Sequence, residues 1–320
     1  MKAVIQTGYG SADVMELKEL VRPTPGEGEV LVRVMAASLA AGEYFGMRGK
    51  PFPIRFYIGF PKPKKDFVVG IDFAGVVEAV GPNVTRFQPG DEVFGECHGS
   101  CAEYAVAGEG SIAPKPASLS FEQAAAVPTS ACTALQALRD HGKVGPGQKV
   151  LINGASGGVG PFAVQVAKAL GAEVTAVCSP RNVEMLRSIG ADHVIDYTKE
   201  DFTKGSARYD VILDNVGSHS LSATRRVLTS TGLHVPSSGH AGMSWVIAAT
   251  LAGAFVRQQV SPFIAATNTE TLLALNELIE AGKVTPVVDR TYPLGESAQA
   301  FAYLDEGHAR GKVVIAVKPA

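Results

Sequence analysis

The sequence predicts an α/β protein of two domains, one β-rich and one built on a doubly wound parallel sheet. Three observations carry this. The chain has 320 residues, too long for one ordinary domain and suited to two. Its periodicity changes near residue 125, from alternating strands to strand–helix repetition. A glycine-rich segment, Asn153 to Gly160, joins a short apolar strand to a helical run.

The first part reads as short strands punctuated by Gly and Pro. GEVLVRVMAAS (28–38) alternates apolar and polar residues. FVVGIDFAGVVEAVG (67–81) holds two β-branched runs around Gly70 and Gly75, and DEVFG (91–95) and CAEYAVA (101–107) add two more. Strands at this spacing suggest a compact antiparallel barrel or sandwich. From Phe121 to Arg139 the chain is Ala-rich and reads as one helix.

Beyond it the elements alternate. KVLIN (149–153), EVTAVC (173–178), HVID (193–196), YDVILDNVG (209–217) and GLHVPSSG (232–239) read as strands. PFAVQVAKALG (161–171), NVEMLRSIG (182–190) and Leu221 to Thr229 read as the helices between them. This is the signature of a parallel, doubly wound sheet. TETLLALNELIEAGK (269–283) is an amphipathic helix, and PVVDRTYPL and GKVVIAV (311–317) return to strands. One reading has these final strands rejoining the first domain, so that the second is inserted in it; periodicity alone does not decide this.

Composition removes several classes. Twenty-nine basic and 31 acidic side chains give a net charge of −2 with no basic block, which argues against nucleic-acid binding. The longest near-continuous apolar stretch, Trp245 to Val256, falls short of the roughly 20 residues that span a bilayer and reads as a buried helix. Cys97, Cys101, Cys132 and Cys178 do not form a disulfide framework, so a reducing, cytoplasmic setting is expected.

The motif that carries chemistry is Asn153-Gly154-Ala155-Ser156-Gly157-Gly158-Val159-Gly160, a GxxGxxG turn with Gly154, Gly157 and Gly160 in register. Missing Cβ atoms allow a tight turn and let backbone approach a pyrophosphate at a helix N-terminus. An NAD site usually places an acid about 20 residues further on, against the ribose 2′-hydroxyl. Here that place reads Cys178-Ser179-Pro180-Arg181-Asn182, and Glu184 is the first acid. Ser179 and Arg181 suit a 2′-phosphate, so the expected cofactor is NADPH. The plainer alternative for Arg181 is a solvated charge at a helix start. Tyr197 offers a hydroxyl to the same pocket, or is a packing aromatic.

No metal is expected. The seven histidines form no HxH or HExxH pattern, and Cys97-His98 with Cys101 is the one Cys/His cluster.

The chain resembles a zinc-independent medium-chain dehydrogenase/reductase of the quinone oxidoreductase group. The resemblance runs nearly end to end, through GxDxAGxVxxVG (70–81), PGDEVFG (89–95), AEYAV (102–106) and AAAVPTSACTALQAL (124–138). It continues through GASGGVG (154–160), GADHVIDY (190–197) and GHARGKVVIAV (307–317). It implies a GroES-like, β-rich catalytic domain (1–125 and 266–320) interrupted by a Rossmann NADPH-binding domain (126–265), with the active site between them. Zinc-dependent relatives carry Cys in the segment reading Ala37-Ser38-Leu39 here, and His-Glu where this chain has Ile71-Asp72. The usual Asn-Pro of the metal-free branch is Ala40-Ala41.

Without a Lewis acid, hydride delivery to an electron-poor acceptor is the accessible chemistry. The expectation is NADPH-dependent reduction of quinones or α,β-unsaturated carbonyl compounds, with a small hydrophobic molecule as acceptor. Tyr44 is the candidate proton donor or substrate-orienting group, or else an aromatic packing beside Phe45; Glu43 reads as structural. By the resemblance, Thr133 approaches the nicotinamide, Asn215 and Val216 face the cofactor ribose, Ser237 and Ser238 end the next strand and Phe263 borders the nicotinamide. Lys312 lies in the segment returning to the cleft; its alternative is a surface lysine before an edge strand. Arg55 to Phe60 and Met243 to Val256 are expected to shape an apolar pocket. Relatives often pair as homodimers through edge strands of the nucleotide domain, here near Val256 to Ile264. Two alternatives remain: a non-catalytic NADPH-binding regulator, and a zinc alcohol dehydrogenase with unusual ligands.

Overall fold

A computed structural model describes residues 1–237 and 258–317. The expected apolar helix at Trp245–Val256, the Met243–Val256 pocket wall and Ser238 lie outside the described residues. The chain divides into two units. One comprises residues 1–130, 267–280 and 286–320, and the other residues 131–266 and 281–285.

The first unit holds strands β1 (Lys2–Gln6), β2 (Met15–Glu19), β3 (Glu29–Leu39), β4 (Asp72–Val80), β5 (Glu92–Glu96), β6 (Tyr104–Gly108) and β7 (Ile112–Pro114). β1 and β2 pair antiparallel in a two-stranded sheet, an element the sequence reading did not identify. The larger sheet also takes in the two C-terminal strands. With β14 (Val288–Pro293) and β15 (Lys312–Ala316), its order is β14-β15-β3-β4-β5-β7, and β6 also pairs with β3. β3 therefore has β15, β4 and β6 as partners, and it is buried along most of its length. Lys312 thus opens a strand flanked by β14 and β3, not an edge strand. Two apolar clusters fill this unit. Leu39, Met47, Phe301 and Ile315 belong to one, and Val32, Phe73, Val93 and Ile112 to the other.

The second unit holds β8 (Lys149–Asn153), β9 (Glu173–Cys178), β10 (His193–Asp196), β11 (Tyr209–Asp214), β12 (Leu228–Pro236) and β13 (Gln259–Val260). They form an all-parallel sheet in the order β10-β9-β8-β11-β12-β13. Order reverses at β8, so the carboxyl ends of β8, β9 and β11 surround the switch point where such sheets bind ligands.

One expected element is divided. The Ala-rich run is broken into helices Phe121–Ala125 and Pro128–Leu135, followed by a π-helical turn over Gln136–His141. Pro128 cannot donate to the preceding turn, which ends the first helix and opens the second. Ser120 caps the first helix by accepting from Gln123 N–H at 3.2 Å. The unit boundary lies further along, after Ser130, because Thr129 and Ser130 bond into the first unit. Residues 281–285 belong to the second unit, where the Gln165 side chain pairs with both backbone groups of Thr285.

Candidate active site

β8 ends at Asn153, and the chain turns through Gly154 to Gly160 into the helix Gly160–Ala169. Three glycines serve different needs. Gly154 has φ +74°, and a Cβ there would stand 2.7 Å from Val216 Cγ2. At Gly160 a Cβ would meet the Ala155 carbonyl at 2.3 Å, so the backbone itself requires glycine. Around Gly157 the nearest atom to an added Cβ is the Gly154 carbonyl oxygen, at 3.7 Å. A Cβ added at Gly157 would clash with nothing, and a pyrophosphate lying against the turn would meet half-buried backbone. Ser156, Gly158 and Val159 are half-buried in the same turn, and Val159 precedes the first helical residue.

Beside this turn lies the carboxyl end of β9. Asn182, 3% exposed, donates through Nδ2 to Ser156 Oγ at 2.9 Å and to Ser179 Oγ at 3.0 Å. One buried amide thereby ties the glycine turn to the end of β9. Its Oδ1 is buried without a hydrogen-bond partner. Arg181 is exposed next to it. Tyr197 follows β10 and is fastened by its backbone N–H to the Cys178 carbonyl at 3.1 Å. Its side chain is 61% exposed, so it is not a packing aromatic. Ser179, Arg181 and Tyr197 therefore flank the carboxyl ends of neighbouring strands.

At the end of β11, Asp214 shapes the third wall. It accepts from Asn153 Nδ2 at 2.9 Å and from the backbone N–H groups of Val216 (3.1 Å) and Gly217 (2.9 Å). Burial pushes its carboxyl up, but the contacts from His234, Gly217 and Val216 outweigh this and hold it down at about 2. His234 Nε2 lies 3.5 Å from Asp214 Oδ2. This turn presents Asn215 and Val216. Asn215 accepts from the Ser237 hydroxyl through Oδ1, while its buried Nδ2 has no hydrogen-bond partner.

Thr133 is 9% exposed within the helix Pro128–Leu135. Phe263 is half-buried and stacks on His141, with ring centroids 4.6 Å apart.

The first unit carries a separate polar cluster. Lys312 is 1% exposed; its Nζ lies 3.1 Å from Asp72 Oδ2 and 3.2 Å from Ser130 Oγ. The surface alternative for this lysine is thus excluded. Asp72 also accepts from Thr129 N–H at 3.0 Å, from the Thr129 hydroxyl, and from Ser38 Oγ at 3.4 Å. Ser38 and Asp72 face each other across β3 and β4. Nearby, Glu43 accepts from Ala40 N–H at 2.8 Å and so caps the helix Ala41–Arg48. Its other oxygen is buried without a partner. Burial first, then the Asp72 charge, pushes this carboxyl up to about 7, against the pull of Lys312. Tyr44, the next residue, is half-buried, packs against the core containing Met47 and meets Phe45 edge-on at 5.4 Å. That is the packing alternative.

These residues do not fit a catalytic zinc. Ile71 offers no ligand atom, Asp72 is engaged by a lysine and three hydroxyl or amide donors, and Cys97 and Cys101 are buried thiols with raised pKa values. Among the described residues no group of three or more His, Cys, Asp or Glu side chains has metal-site geometry.

Comparison with known proteins agrees with the architecture. The family described as "Alcohol dehydrogenase GroES-like domain" matches residues 26–137, and that described as "Zinc-binding dehydrogenase" matches residues 189–315. A 2-methylene-furan-3-one reductase from Solanum lycopersicum is 36% identical over 98% of this chain and 79% of its own. The chain belongs to the medium-chain dehydrogenase/reductase family. Other members of that family include an NADPH-dependent alkenal/one oxidoreductase from Arabidopsis thaliana, chloroplastic by name, 34% identical over 98% of this chain and 79% of its own. The solved quinone oxidoreductase from Coxiella burnetii has a TM-score of 0.89 at 32% identity, covering 99% of both chains. As a member of this family the chain is a nicotinamide-dependent oxidoreductase. Among the described residues no helix is long and apolar enough to cross a membrane.

Sequence reasoning missed Asn182 and Asp214. Both left a local signal: Ser179-x-x-Asn182 at a helix start, and Asp214-Asn-Val-Gly217 as a turn that an aspartate closes on its own backbone. The Asp72–Lys312 pair spans 240 residues, and no local pattern announces it.

Proposed function

We propose that this protein reduces quinones or α,β-unsaturated carbonyl compounds with NADPH and without zinc. The observation that carries the reading is the saturated carboxylate of Asp72, held by Lys312, Ser38 and Thr129 beside a non-ligating Ile71. An alcohol oxygen would need a Lewis acid to ease its oxidation. A conjugated acceptor does not, because it spreads the arriving charge over its own π-system.

The buried, unpartnered Asn215 Nδ2 and the unobstructed Gly157 fit a dinucleotide. Backbone of Gly154, Ser156, Gly157, Gly158, Val159 and Gly160 would cradle the pyrophosphate at the helix N-terminus. Ser179, Arg181 and Tyr197 would take the 2′-phosphate, and no acid stands there to repel it. Asn215, Val216 and Ser237 would hold the ribose, with Thr133 and Phe263 towards the nicotinamide. Lys312 is assigned to the Asp72 pair instead of the cofactor. When bound, the cofactor supplies a hydride. The protein orients the acceptor against it, excludes water and delivers a proton.

A reducing compartment, the cytoplasm, suits a chain whose four cysteines are all free and buried. The acceptor is small and hydrophobic. Product analysis tests the reading: an enone incubated with NADPH should yield the saturated ketone. An allylic alcohol as the product would move the chemistry to carbonyl reduction.

A further inference from the structure

We propose that Asn182 determines cofactor specificity: its amide fixes the hydroxyls of Ser156 and Ser179 as a pair of donors that selects a 2′-phosphate over a free ribose 2′-hydroxyl. This rests on the NADPH reading above and adds to it a positioning residue, one that acts through the two serines. All three residues belong to the second unit.

Asn182 ends a short 3₁₀ turn, Pro180–Asn182, that follows β9. Its backbone N–H donates to the Ser179 carbonyl at 3.0 Å and closes that turn. The side chain is buried, and its Nδ2 reaches Ser156 Oγ at 2.9 Å and Ser179 Oγ at 3.0 Å. An amide nitrogen only donates. Both serine oxygens are therefore acceptors here, and neither hydroxyl proton takes part in these bonds. Among the described residues neither hydroxyl donates to another protein group. Both serines are half-buried, one in the glycine turn and one at the end of β9, so their protons remain available to a ligand.

The polarity of this pair decides what it can bind. An ionised phosphate offers only acceptors, and a hydroxyl bonded to an anionic oxygen makes a charge-assisted bond. A ribose 2′-hydroxyl is instead met in NAD sites by a carboxylate, which accepts its proton. Accepting from the amide also polarises each hydroxyl and strengthens it as a donor. Because the two oxygens are already held, less ordering remains for the ligand to impose. The arrangement leaves Asn182 Oδ1 buried without a partner. A buried acceptor left open is destabilising, and the donor pair is what this amide supplies in return. The acids that follow are engaged elsewhere. Glu184 pairs with Arg187 at 2.9 Å, and Asp196, at the end of β10, accepts from Thr198 N–H at 3.0 Å and from its hydroxyl at 2.7 Å.

The test is a set of titrations that need no turnover. Adenosine 2′,5′-bisphosphate and adenosine 5′-monophosphate differ only in the 2′-phosphate, and NADPH and NADH repeat the comparison. Asn182→Asp is close to isosteric and imposes the opposite polarity, since a carboxylate accepts and draws both serine protons inward. It should weaken the two 2′-phosphorylated ligands roughly a hundredfold and leave the other two within about threefold. Asn182→Ala removes the donor without adding charge, and should weaken the same two ligands roughly tenfold. In a Ser156→Ala, Ser179→Ala background it should add little further loss, because the residue acts through those hydroxyls. Equal losses for ligands with and without the 2′-phosphate, or a full additional loss in the serine-free background, would overturn the proposal. A wild type that binds adenosine 5′-monophosphate as tightly as the bisphosphate would overturn the NADPH reading itself, and this inference with it.

Discussion

Asn182 and Glu43 show how much depends on single side chains here. Asn182 holds Ser156 and Ser179 together, so Arg181 is presented beside an already organised serine pair. A phosphate–guanidinium contact is charge-assisted. Arg181→Ala should therefore weaken NADPH far more than NADH in a fluorescence titration; equal losses would remove Arg181 from the phosphate site. Gly157→Val should collapse the affinity for both dinucleotides while leaving the fold intact, since an added Cβ meets its nearest atom only at 3.7 Å. Unchanged titration would refute the loop assignment. Glu43 makes a prediction about pH. Its folded pKa of about 7 lies above the ordinary 4.5, so the folded state holds its proton more tightly. The associated stability is fully present below the ordinary value and is lost as pH rises through the folded one. Wild type should thus lose on the order of 3 kcal/mol between those limits. Glu43→Gln, which keeps an acceptor for Ala40 N–H but cannot ionise, should flatten that slope in melting curves; an unchanged slope would assign it to another group.

At the scale of elements, the short apolar strands of the parallel sheet were legible because each is bounded by turn residues. KVLIN, EVTAVC and HVID are strands over the residues read from sequence. β1 and β2 were not legible. Lys2–Gln6 is short, and Met15–Glu19 is exposed on all but its first residue, so neither gives a clear alternation. The Ala-rich helix was read through Pro128 because Ala periodicity runs across it, although proline ends a helix locally. PVVDRTYPL and GKVVIAV read as strands locally, but only the family resemblance placed them in the first domain, since β15 pairs with the distant β3, Val313 opposite Leu39, and such pairing leaves no shared periodicity. The Asp72–Lys312 pair fastens β4 to β15 in the same way. Lys312→Met should destabilise the protein by about 3–5 kcal/mol, because it leaves a buried, unpaired carboxylate. Adding Asp72→Asn should restore much of that loss in denaturant titrations. If the double variant were as unstable as the single, the cost would lie in packing instead of charge.

For the whole molecule, the glycine turn, the missing ribose acid and the absent metal ligands were all legible as residue types. Their supporting shell was not. Asp214 beneath Asn215 and Asn182 beneath Ser179 depend on which strand and loop ends lie together, and only the folded chain settles that. The chemistry we propose is hydride delivery to a conjugated acceptor without a Lewis acid. The most direct measurement is steady-state NADPH oxidation by extensively chelated protein, with a quinone, an enone, a saturated ketone and a simple alcohol with NADP⁺ compared side by side. The account predicts full retention of turnover with the quinone and the enone, and little with the saturated ketone or the alcohol. Turnover that falls on chelation and returns with zinc, together with faster alcohol oxidation, would contradict it.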